Sequence, residues 1–335
     1  MSLKKFNLLN DTYYSKEYIS LYLKEDEEVF AFEYKKDNFI FYNVAIKRPI
    51  TKIGNKNIPD GYFDLETAYG YGGFYTNTEN HEFLKIALEK YEQKCLEKNI
   101  IAEFIRFHPW NTFPHKQKEF LNMNLYDRDV VYVNLQADYE EIKKQYSSSL
   151  KRNIKKAKNL ELKYKIQNIN SKSIEKFINL YNMTMQKNAA LDFYYFKKEY
   201  FENLFKLQAI ELHSVVYNDE IINMIIILKS NDILYYHLGA TNPDYYSLNP
   251  NPFIFDCIIQ NNYKRAEYLY FGGGTTGEKD DPLLKFKQKF SALTKPFYIS
   301  GKIYNEELYN KYNTLWKKQS SEDIRYFLKY RLEIQ

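Results

Sequence analysis

The chain has 335 residues, of which 44% are hydrophobic and 27% are charged, and this composition is typical of a globular rather than a disordered protein. Its length predicts two domains, because one hydrophobic core rarely serves so many residues. The formal net charge of +5 is too small to indicate nucleic-acid binding by itself, so only a local concentration of charge would do so.

The compartment is predicted from what the sequence lacks. No apolar stretch approaches the ~20 residues that span a bilayer, and the first residues lack the basic and apolar regions of a signal peptide. Cys95 and Cys257 show neither a metal-binding nor a Cys-x-x-Cys spacing. We therefore expect a cytoplasmic protein with no metal site and no membrane span.

The first half is predicted to alternate strands and helices. Alternating apolar and polar residues over 29–34 and 39–46 predict a β-hairpin. It is followed by a helical period over 81–98, a strand over 100–107, a short helix near 115–123 and a strand over 130–135.

The second half repeats this order of elements. The predicted helices cover residues 140–158, 173–187, 197–207, a helix ending near 262, and 306–332. The predicted strands cover 160–166, 211–217, 221–228, 233–239, 268–271 and 297–304. Strands alternating with helices predict an α/β protein, and the repeated order predicts two lobes with mixed sheets, residues 1–137 and 138–335.

A glycine-rich stretch near the C-terminus is a candidate functional segment. A short apolar strand over 268–271 ends in Gly272, Gly273 and Gly274, where the backbone can take positive φ or approach a ligand closely. Asp281 and Pro282 then begin a helix. On this helix Lys287 lies between the apolar face and the face of exposed lysines. An ordinary strand, turn and surface helix would explain the same residues.

This stretch resembles the C-terminal motif of the FemAB-like branch of the GNAT acyltransferases. That motif reads as apolar strand, Gly-Gly, polar loop, Leu, then Phe-Lys-x-x-Phe, and it is matched by 271–273, Leu284 and 286–290. The family includes enzymes that attach amino acids from aminoacyl-tRNA to peptidoglycan precursors. The resemblance implies two tandem GNAT-like lobes with a cleft between them.

Three further segments match the family. Tyr69-Gly70-Tyr71-Gly72-Gly73 is similar to a family loop whose amides can point at a ligand, although a tight bend would also need its glycines. Arg106-Phe107-His108-Pro109 is similar to a segment that has Asp where this chain has His108, which puts the acceptor in doubt. Residues 149–157 are similar to a basic family segment.

The resemblance assigns roles to these residues. Lys287 would stabilise the oxyanion of the transition state, and His108 would take the proton of the acceptor amine, unless it only ends a strand. Substrate-binding residues would be Tyr69, Tyr71, Gly72, Gly73, Arg106, Gly272, Gly273, Gly274 and Phe286. Lys151, Arg152 and Lys155 would contact phosphate or RNA, unless they form an ordinary solvated face.

The acyl donor is the least determined part. Acyl-CoA-dependent GNAT enzymes place a glycine-containing loop before their central helix, where amides bind the pyrophosphate. The corresponding residues 245–252 contain no glycine, which favours aminoacyl-tRNA over CoA as donor and predicts no tightly bound cofactor. The expected partners are a cell-envelope precursor, such as a UDP-linked muropeptide or an amino sugar, and tRNA, but not DNA. A peripheral position near a membrane is left open. The alternatives are acyl-thioester transfer to an amino sugar of a surface polysaccharide, and a non-catalytic module that binds a nucleotide sugar or RNA.

Overall fold

The computed structural model describes residues 7–59, 61–320 and 326–334. Its strands are β1 (Glu28–Lys36), β2 (Phe39–Pro49), β3 (Lys52–Ile53), β4 (Lys56–Asn57), β5 (Phe63–Glu66), β6 (Tyr75–Thr76), β7 (Ile100–Arg106), β8 (Met123–Asn134), β9 (Lys163–Gln167), β10 (Ile210–Tyr217), β11 (Glu220–Ser230), β12 (Ile233–Thr241), β13 (Tyr268–Gly272) and β14 (Thr294–Ile303).

The helices alternate with these strands. They are α1 (Lys16–Ser20), α2 (His81–Glu97), α3 (Phe113–Lys116), α4 (Tyr139–Lys144), α5 (Ser148–Asn159), α6 (Ser171–Lys187), α7 (Lys198–Leu204), α8 (Pro250–Asn262), α9 (Pro282–Gln288) and α10 (Glu306–Lys317). The predicted α/β class with mixed sheets is confirmed. Within the described ranges, no helix has the length and apolar character that crossing a membrane requires.

The contacts divide the chain into two compact units. The first unit consists of residues up to Asp127 together with those from Phe297 onward, and the second runs from Arg128 to Pro296. The sequence instead suggested one division after residue 137, with everything later in the second lobe. The difference has a pairing cause, because the C-terminal part of β14 is hydrogen-bonded to β7 of the first unit.

The first unit has helices on both faces of a mixed sheet. Its strand order is β1-β2-β5-β7-β14, in which β5 and β7 are parallel and α2 connects them. Ile105 of β7 faces α2, in a core with Leu84. Phe104 lies in a second core with Tyr312 and Trp316 of α10. The predicted hairpin is confirmed, with Val29 opposite Ile46.

The second unit has the strand order β8-β13-β12-β11-β10-β9. Helices α5 and α8 pack on the same core as Ile225 and Ile227 of β11. Helix α6 lies against β12, where the Thr184 hydroxyl donates a hydrogen bond to the Thr241 carbonyl at 2.9 Å. Strands β12 and β13 are parallel and joined by α8, the connection that parallel neighbours require.

Two predicted helices differ from the structure. The helix predicted over 140–158 is two helices, because Ser147 begins a new one by accepting a hydrogen bond from the Leu150 N–H at 3.2 Å. The helix predicted over 306–332 ends at Lys317, and residues 321–325 of that prediction lie outside the described residues. Around 115–123 the structure has only short helical turns before β8.

Candidate functional site

The structure brings together two of the predicted motifs in the first unit. The glycine loop runs beside the Arg106–Pro109 segment, with Gly72 paired to Phe107 in a parallel bridge. The Gly72 N–H donates to the Arg106 carbonyl at 2.9 Å, and the His108 N–H donates to the Gly72 carbonyl at 3.0 Å. Residues some 35 positions apart in sequence therefore form one local structure.

Close packing explains the glycines of this loop. Gly70 has a φ of +97°, and a Cβ there would lie 2.4 Å from the Tyr13 ring. Gly73 has a φ of +89°, and a Cβ there would lie 2.6 Å from the Phe107 ring. Since the Gly72 amide is already bonded to protein, it does not point at a ligand in this structure. Substrate binding by Tyr69, Tyr71, Gly72 and Gly73 stays a prediction.

Two tyrosines from the N-terminal segment hold the loop from beneath. The buried Tyr14 hydroxyl donates to the Gly72 carbonyl at 2.6 Å and accepts from the Asn111 side-chain amide at 3.0 Å, while the Tyr18 hydroxyl donates to the Tyr69 carbonyl at 2.8 Å. Burial raises the pKa of Tyr14 well above its ordinary value, so this hydroxyl stays a donor. Contacts of Tyr14 and Tyr18 with the glycine loop were not predicted from the sequence, in which the only signal is a cluster of tyrosines near the N-terminus.

His108 is buried among aromatic side chains. It is 1% exposed, and ring centroids of Tyr13, Tyr14 and Tyr71 lie 6.2, 6.4 and 5.8 Å away. Its Nδ1 accepts the Trp110 N–H at 3.2 Å, so the neutral ring carries its proton on Nε2. Proton capture at Nδ1 would require the Trp110 bond to break, and the base role of His108 stays a prediction.

Arg106 is held by carbonyl groups of its own unit. Its Nη2 donates to the Thr67 carbonyl at 2.6 Å and to the Ala68 carbonyl at 3.2 Å, and Nη1 lies 3.7 Å from a Glu66 carboxylate oxygen. These bonds orient the segment that leads into His108. Ligand binding by Arg106 stays a prediction.

In the second unit the predicted residues surround the point where β12 and β13 separate. Their parallel pairing runs from Ile233 opposite Tyr268 to Tyr235 opposite Tyr270 and is not continued beyond that pair. The strand β13 ends at Gly272, which has a φ of +79°. A Cβ on Gly273 would lie 2.7 Å from the Arg128 side chain. The glycines therefore let the chain leave the sheet in a crowded place.

Asp281 connects the glycine segment to α9. One of its carboxylate oxygens accepts from the Leu284 N–H at 2.9 Å and the other from the Thr276 N–H at 2.9 Å. Burial alone would raise the pKa of Asp281, but these hydrogen bonds hold it below its ordinary value. A Cβ on Gly274 would lie 2.5 Å from this carboxyl group, so the third glycine makes room for the helix cap.

Lys287 points back from α9 into this corner. It is 5% exposed, its Nζ donates to the Gly273 carbonyl at 2.6 Å, and it lies 5.6 Å from the Tyr236 ring centroid. Burial lowers the pKa of the Lys287 ammonium to about 7, with Asp281 opposing that shift and Arg128 adding to it. An ammonium with few other partners can donate to an oxygen that gains negative charge.

A shallow cleft of about 250 Å³ lies at the start of α8. Its walls include the predicted Phe286, together with Asn153, Tyr246, Asn249, Pro250, Asn251 and Pro252. The Asn251 carboxamide oxygen accepts from the buried Asn223 amide at 2.8 Å, which leaves the Asn251 NH₂ group to face elsewhere. Tyr246 and residues 249–252 belong to the loop whose lack of glycine was used to predict the donor, whereas no sequence signal marked Asn153.

The basic residues of α5 lie beside this cleft. Lys151, Arg152 and Lys155 are exposed, and the Lys151 ammonium donates to the Lys144 carbonyl at 3.0 Å. Lys156, which belongs to the same basic segment, donates to the Ser247 carbonyl at 3.0 Å. Arg152 is one helical turn from Lys156 and so shares its face. Phosphate binding there stays a prediction.

The predicted site residues thus form two groups. Tyr69, Tyr71, Gly72, Gly73, Arg106 and His108 belong to the first unit, whereas Lys151, Arg152, Lys155, Gly272, Gly273, Gly274, Phe286 and Lys287 belong to the second. In the described ranges, no group of three or more His, Cys, Asp or Glu side chains is arranged to hold a metal ion.

Comparison with known proteins identifies the type of domain. Residues 144–280 match a family described as Acetyltransferase (GNAT) domain. These residues contain α5, the separating strands, the glycine segment and every residue of the cleft wall except Phe286, so the match covers most of the second unit. No curated protein matches the chain in sequence.

Solved structures share the fold over nearly the whole chain. A structure of FemX aligns with a TM-score of 0.68 and 13% identity, covering 92% of this chain and 95% of that one. The C-terminal domain of a putative lysylphosphatidylglycerol synthetase from Agrobacterium fabrum aligns with a TM-score of 0.54, 12% identity and 88% coverage of both chains. L-PGS from Bacillus licheniformis gives 0.54, 10% identity and 86% coverage of both.

The matched domain ends at residue 280, before Lys287 and the helical part of its motif, and the fold shared with FemX covers 92% of the chain. Residues 144–280 therefore form a GNAT acetyltransferase-type domain, in a chain whose fold is similar to that of FemX.

Proposed function

We propose that this acyltransferase moves an aminoacyl group from aminoacyl-tRNA to an amine of a cell-wall precursor. The amine nitrogen attacks the ester carbonyl carbon, a C–N bond forms, and the ester C–O bond to the ribose breaks. The amine loses its proton to a base, for which His108 is the candidate, and the ribose hydroxyl takes up a proton. Lys287 donates to the carbonyl oxygen as that oxygen becomes negative.

The start of α8 is the observation that favours aminoacyl-tRNA over CoA as the donor. A helix N-terminus binds a pyrophosphate through its unbonded N–H groups. Here Pro250 and Pro252 have no N–H, and the Phe253 N–H is bonded to the Asn249 carbonyl at 3.3 Å. Among residues 250–253 of this described helix, Asn251 alone keeps an N–H group for a ligand. This start of the helix is poorly suited to a pyrophosphate, which argues against CoA.

The surroundings of the cleft suit a nucleic-acid strand, which carries one charge per phosphate, better than a pyrophosphate. Tyr246 is 38% exposed and offers an aromatic face, and Arg152, Lys155 and Lys156 offer exposed positive charge nearby. Single-stranded nucleic acids bind through stacked bases and cations along the backbone. FemX and the C-terminal domain of a putative lysylphosphatidylglycerol synthetase share this fold. The cell-wall acceptor is proposed from the resemblance to the FemAB-like enzymes.

The experiment offers the full chain radiolabelled aminoacyl-tRNA and a UDP-linked muropeptide, and it measures label in the muropeptide. We expect transfer that Lys287→Met lowers about 10²-fold or more, as removal of one oxyanion donor does. Lys285→Met is the matched control, since Lys285 is exposed on the same helix. Failure of every aminoacyl-tRNA to donate would overturn the proposal.

A second candidate is acyl transfer from a thioester to an amino sugar of a surface polysaccharide. The description of the matched domain as an acetyltransferase favours it. Binding is measured by thermal shift, because a ligand at 100 times its dissociation constant stabilises the folded state by about 2.7 kcal/mol. A clear shift with acetyl-CoA would select this candidate over the first.

A further inference from the structure

The loop between α6 and α7 exposes apolar side chains at its tip. All residues from 189 to 196 except Asp192 are aliphatic or aromatic. Leu191 is 74% exposed, more than any other large hydrophobic residue in the described chain, and Tyr195 is 39% exposed. Exposure of a leucine side chain to water is unfavourable, so burial of this loop tip against an apolar partner would stabilise it.

The loop is fastened to the protein from inside. The Tyr181 hydroxyl donates to the Tyr194 carbonyl at 2.8 Å, and the Phe196 ring stacks on Tyr200 with centroids 4.2 Å apart. The Ala190 N–H donates to a carbonyl of α6 at 3.1 Å. These contacts fix the loop to the rest of the second unit. Leu191 is therefore exposed although the loop that carries it is ordered by its neighbours.

Positive charge lies at both ends of the apolar tip. Lys187 precedes it, and Lys197 and Lys198 follow it, all three exposed. The acidic residues on the loop and the next helical turn are Asp192 and Glu199, both exposed, and Lys198 also lies 3.5 Å from Glu202 of α7. The loop from 187 to 198 therefore keeps a net positive charge.

This arrangement has the chemistry of an interfacial membrane anchor. Apolar side chains with flanking lysines lie between acyl chains and anionic headgroups, and each lysine adds attraction to the negative surface. A protein partner would need a groove complementary to Leu191 and acidic groups on both sides of it, whereas a bilayer supplies apolar interior and phosphates together.

The loop also lies near the cleft. It begins one helical turn after Thr184, which is hydrogen-bonded to β12. An interaction of Tyr246 with Thr184 lowers the pKa of this tyrosine, against the larger effect of burial, which raises it. Tyr246 lines the cleft. Contact of the loop with a surface would thus bring the mouth of the cleft close to that surface.

We propose that residues 187–198 dock the second unit on an anionic lipid surface, with Leu191 and Tyr195 among the headgroups and Lys187, Lys197 and Lys198 on their phosphates. The proposal goes beyond the proposed function, because docking needs neither donor nor acceptor. Its failure would leave transfer in solution untouched, and the two can be tested separately.

The test is co-sedimentation of the full chain with vesicles of phosphatidylcholine alone or with 30% phosphatidylglycerol. We expect binding to the anionic vesicles that weakens as salt rises. Leu191→Glu should lower the partition coefficient at least tenfold, and Leu96→Glu should not, since Leu96 is 44% exposed on the first unit. Replacing Lys197 and Lys198 together by Glu should lower it by about fivefold per lysine or more, unlike the exposed pair Lys163 and Lys165.

Three results would overturn the proposal. The first is equal sedimentation with neutral and anionic vesicles, and the second is a Leu191→Glu variant that binds like the unaltered protein. The third is found without vesicles: if Leu191→Glu converts a dimer to a monomer in light scattering, the loop joins copies of this chain instead. Melting temperature and circular dichroism of each variant confirm that it is folded.

Discussion

Replacing Lys287 by methionine tests the burial of its ammonium group. In the folded chain the Lys287 pKa is about 7, whereas in the unfolded chain it is near its ordinary value of ~10.4. Between these values the unfolded side chain binds more protons than the folded one, so stability rises with pH across that window. From pH 6 to pH 9 this gain is about 2.7 kcal/mol. Below pH 6 both states are protonated and the gain is absent.

The assay is urea unfolding of the unaltered protein and of Lys287→Met at pH 6 and pH 9. Methionine has a similar shape and no charge, so the variant should lack this pH-dependent gain while sharing that of every other group. The difference in unfolding free energy should therefore move by about 2.7 kcal/mol in favour of lysine at the higher pH. Lys285→Met, at an exposed position, should show no such movement. A difference that stays constant within ~0.5 kcal/mol would refute the buried ammonium.

Two further predictions concern the first unit. Gly70→Ala should lower the unfolding free energy by about 2 kcal/mol more than Gly61→Ala. Both glycines have a positive φ, but only a Cβ at Gly70 would contact a ring, that of Tyr13. Equal losses of unfolding free energy in urea would contradict this explanation. Arg331→Met should lower the unfolding free energy by about 3 kcal/mol, since Arg331 Nε donates to the buried Asp64 carboxylate at 2.7 Å and its Nη1 donates to the Pro49 carbonyl at 2.8 Å. Arg331→Lys should recover part of that loss. Arg48 Nε also donates to this carboxylate, at 2.9 Å, and a neutral outcome for Arg331→Met would show that Arg48 alone satisfies Asp64.

Local pattern was enough to predict most of the secondary structure. The hairpin of β1 and β2 follows from alternation of apolar and polar residues, and α2 follows from a helical period that ends one residue earlier than predicted. These signals act between neighbours in sequence, so they survive without knowledge of the fold. The break at Ser147 was missed because the apolar face continues from α4 into α5, whereas a serine cap interrupts the backbone hydrogen bonds.

The motif around Lys287 could be recognised in the sequence, but the burial and the hydrogen bonding of the Lys287 ammonium could not be predicted from it. The order of strand, glycines, helix cap and lysine is local, and it predicted a GNAT-type domain, which the match over residues 144–280 confirms. The burial of the ammonium and its bond to the Gly273 carbonyl depend on how α9 folds back. The same holds for Glu103, which lies in a predicted strand yet is fully buried and accepts hydrogen bonds from Asn43, Tyr91 and Tyr304 at 2.7, 2.8 and 2.6 Å.

The sequence by itself determined the α/β class, and it predicted an acyltransferase with Lys287 as the candidate residue, because periodicity and motif spacing are properties of consecutive residues. Tertiary structure decided the rest. It placed the glycine loop against the Arg106–Pro109 segment, buried His108, and assigned the C-terminal residues to the first unit. Each of these depends on contacts between residues far apart in the chain, and such contacts leave no pattern in the neighbouring sequence.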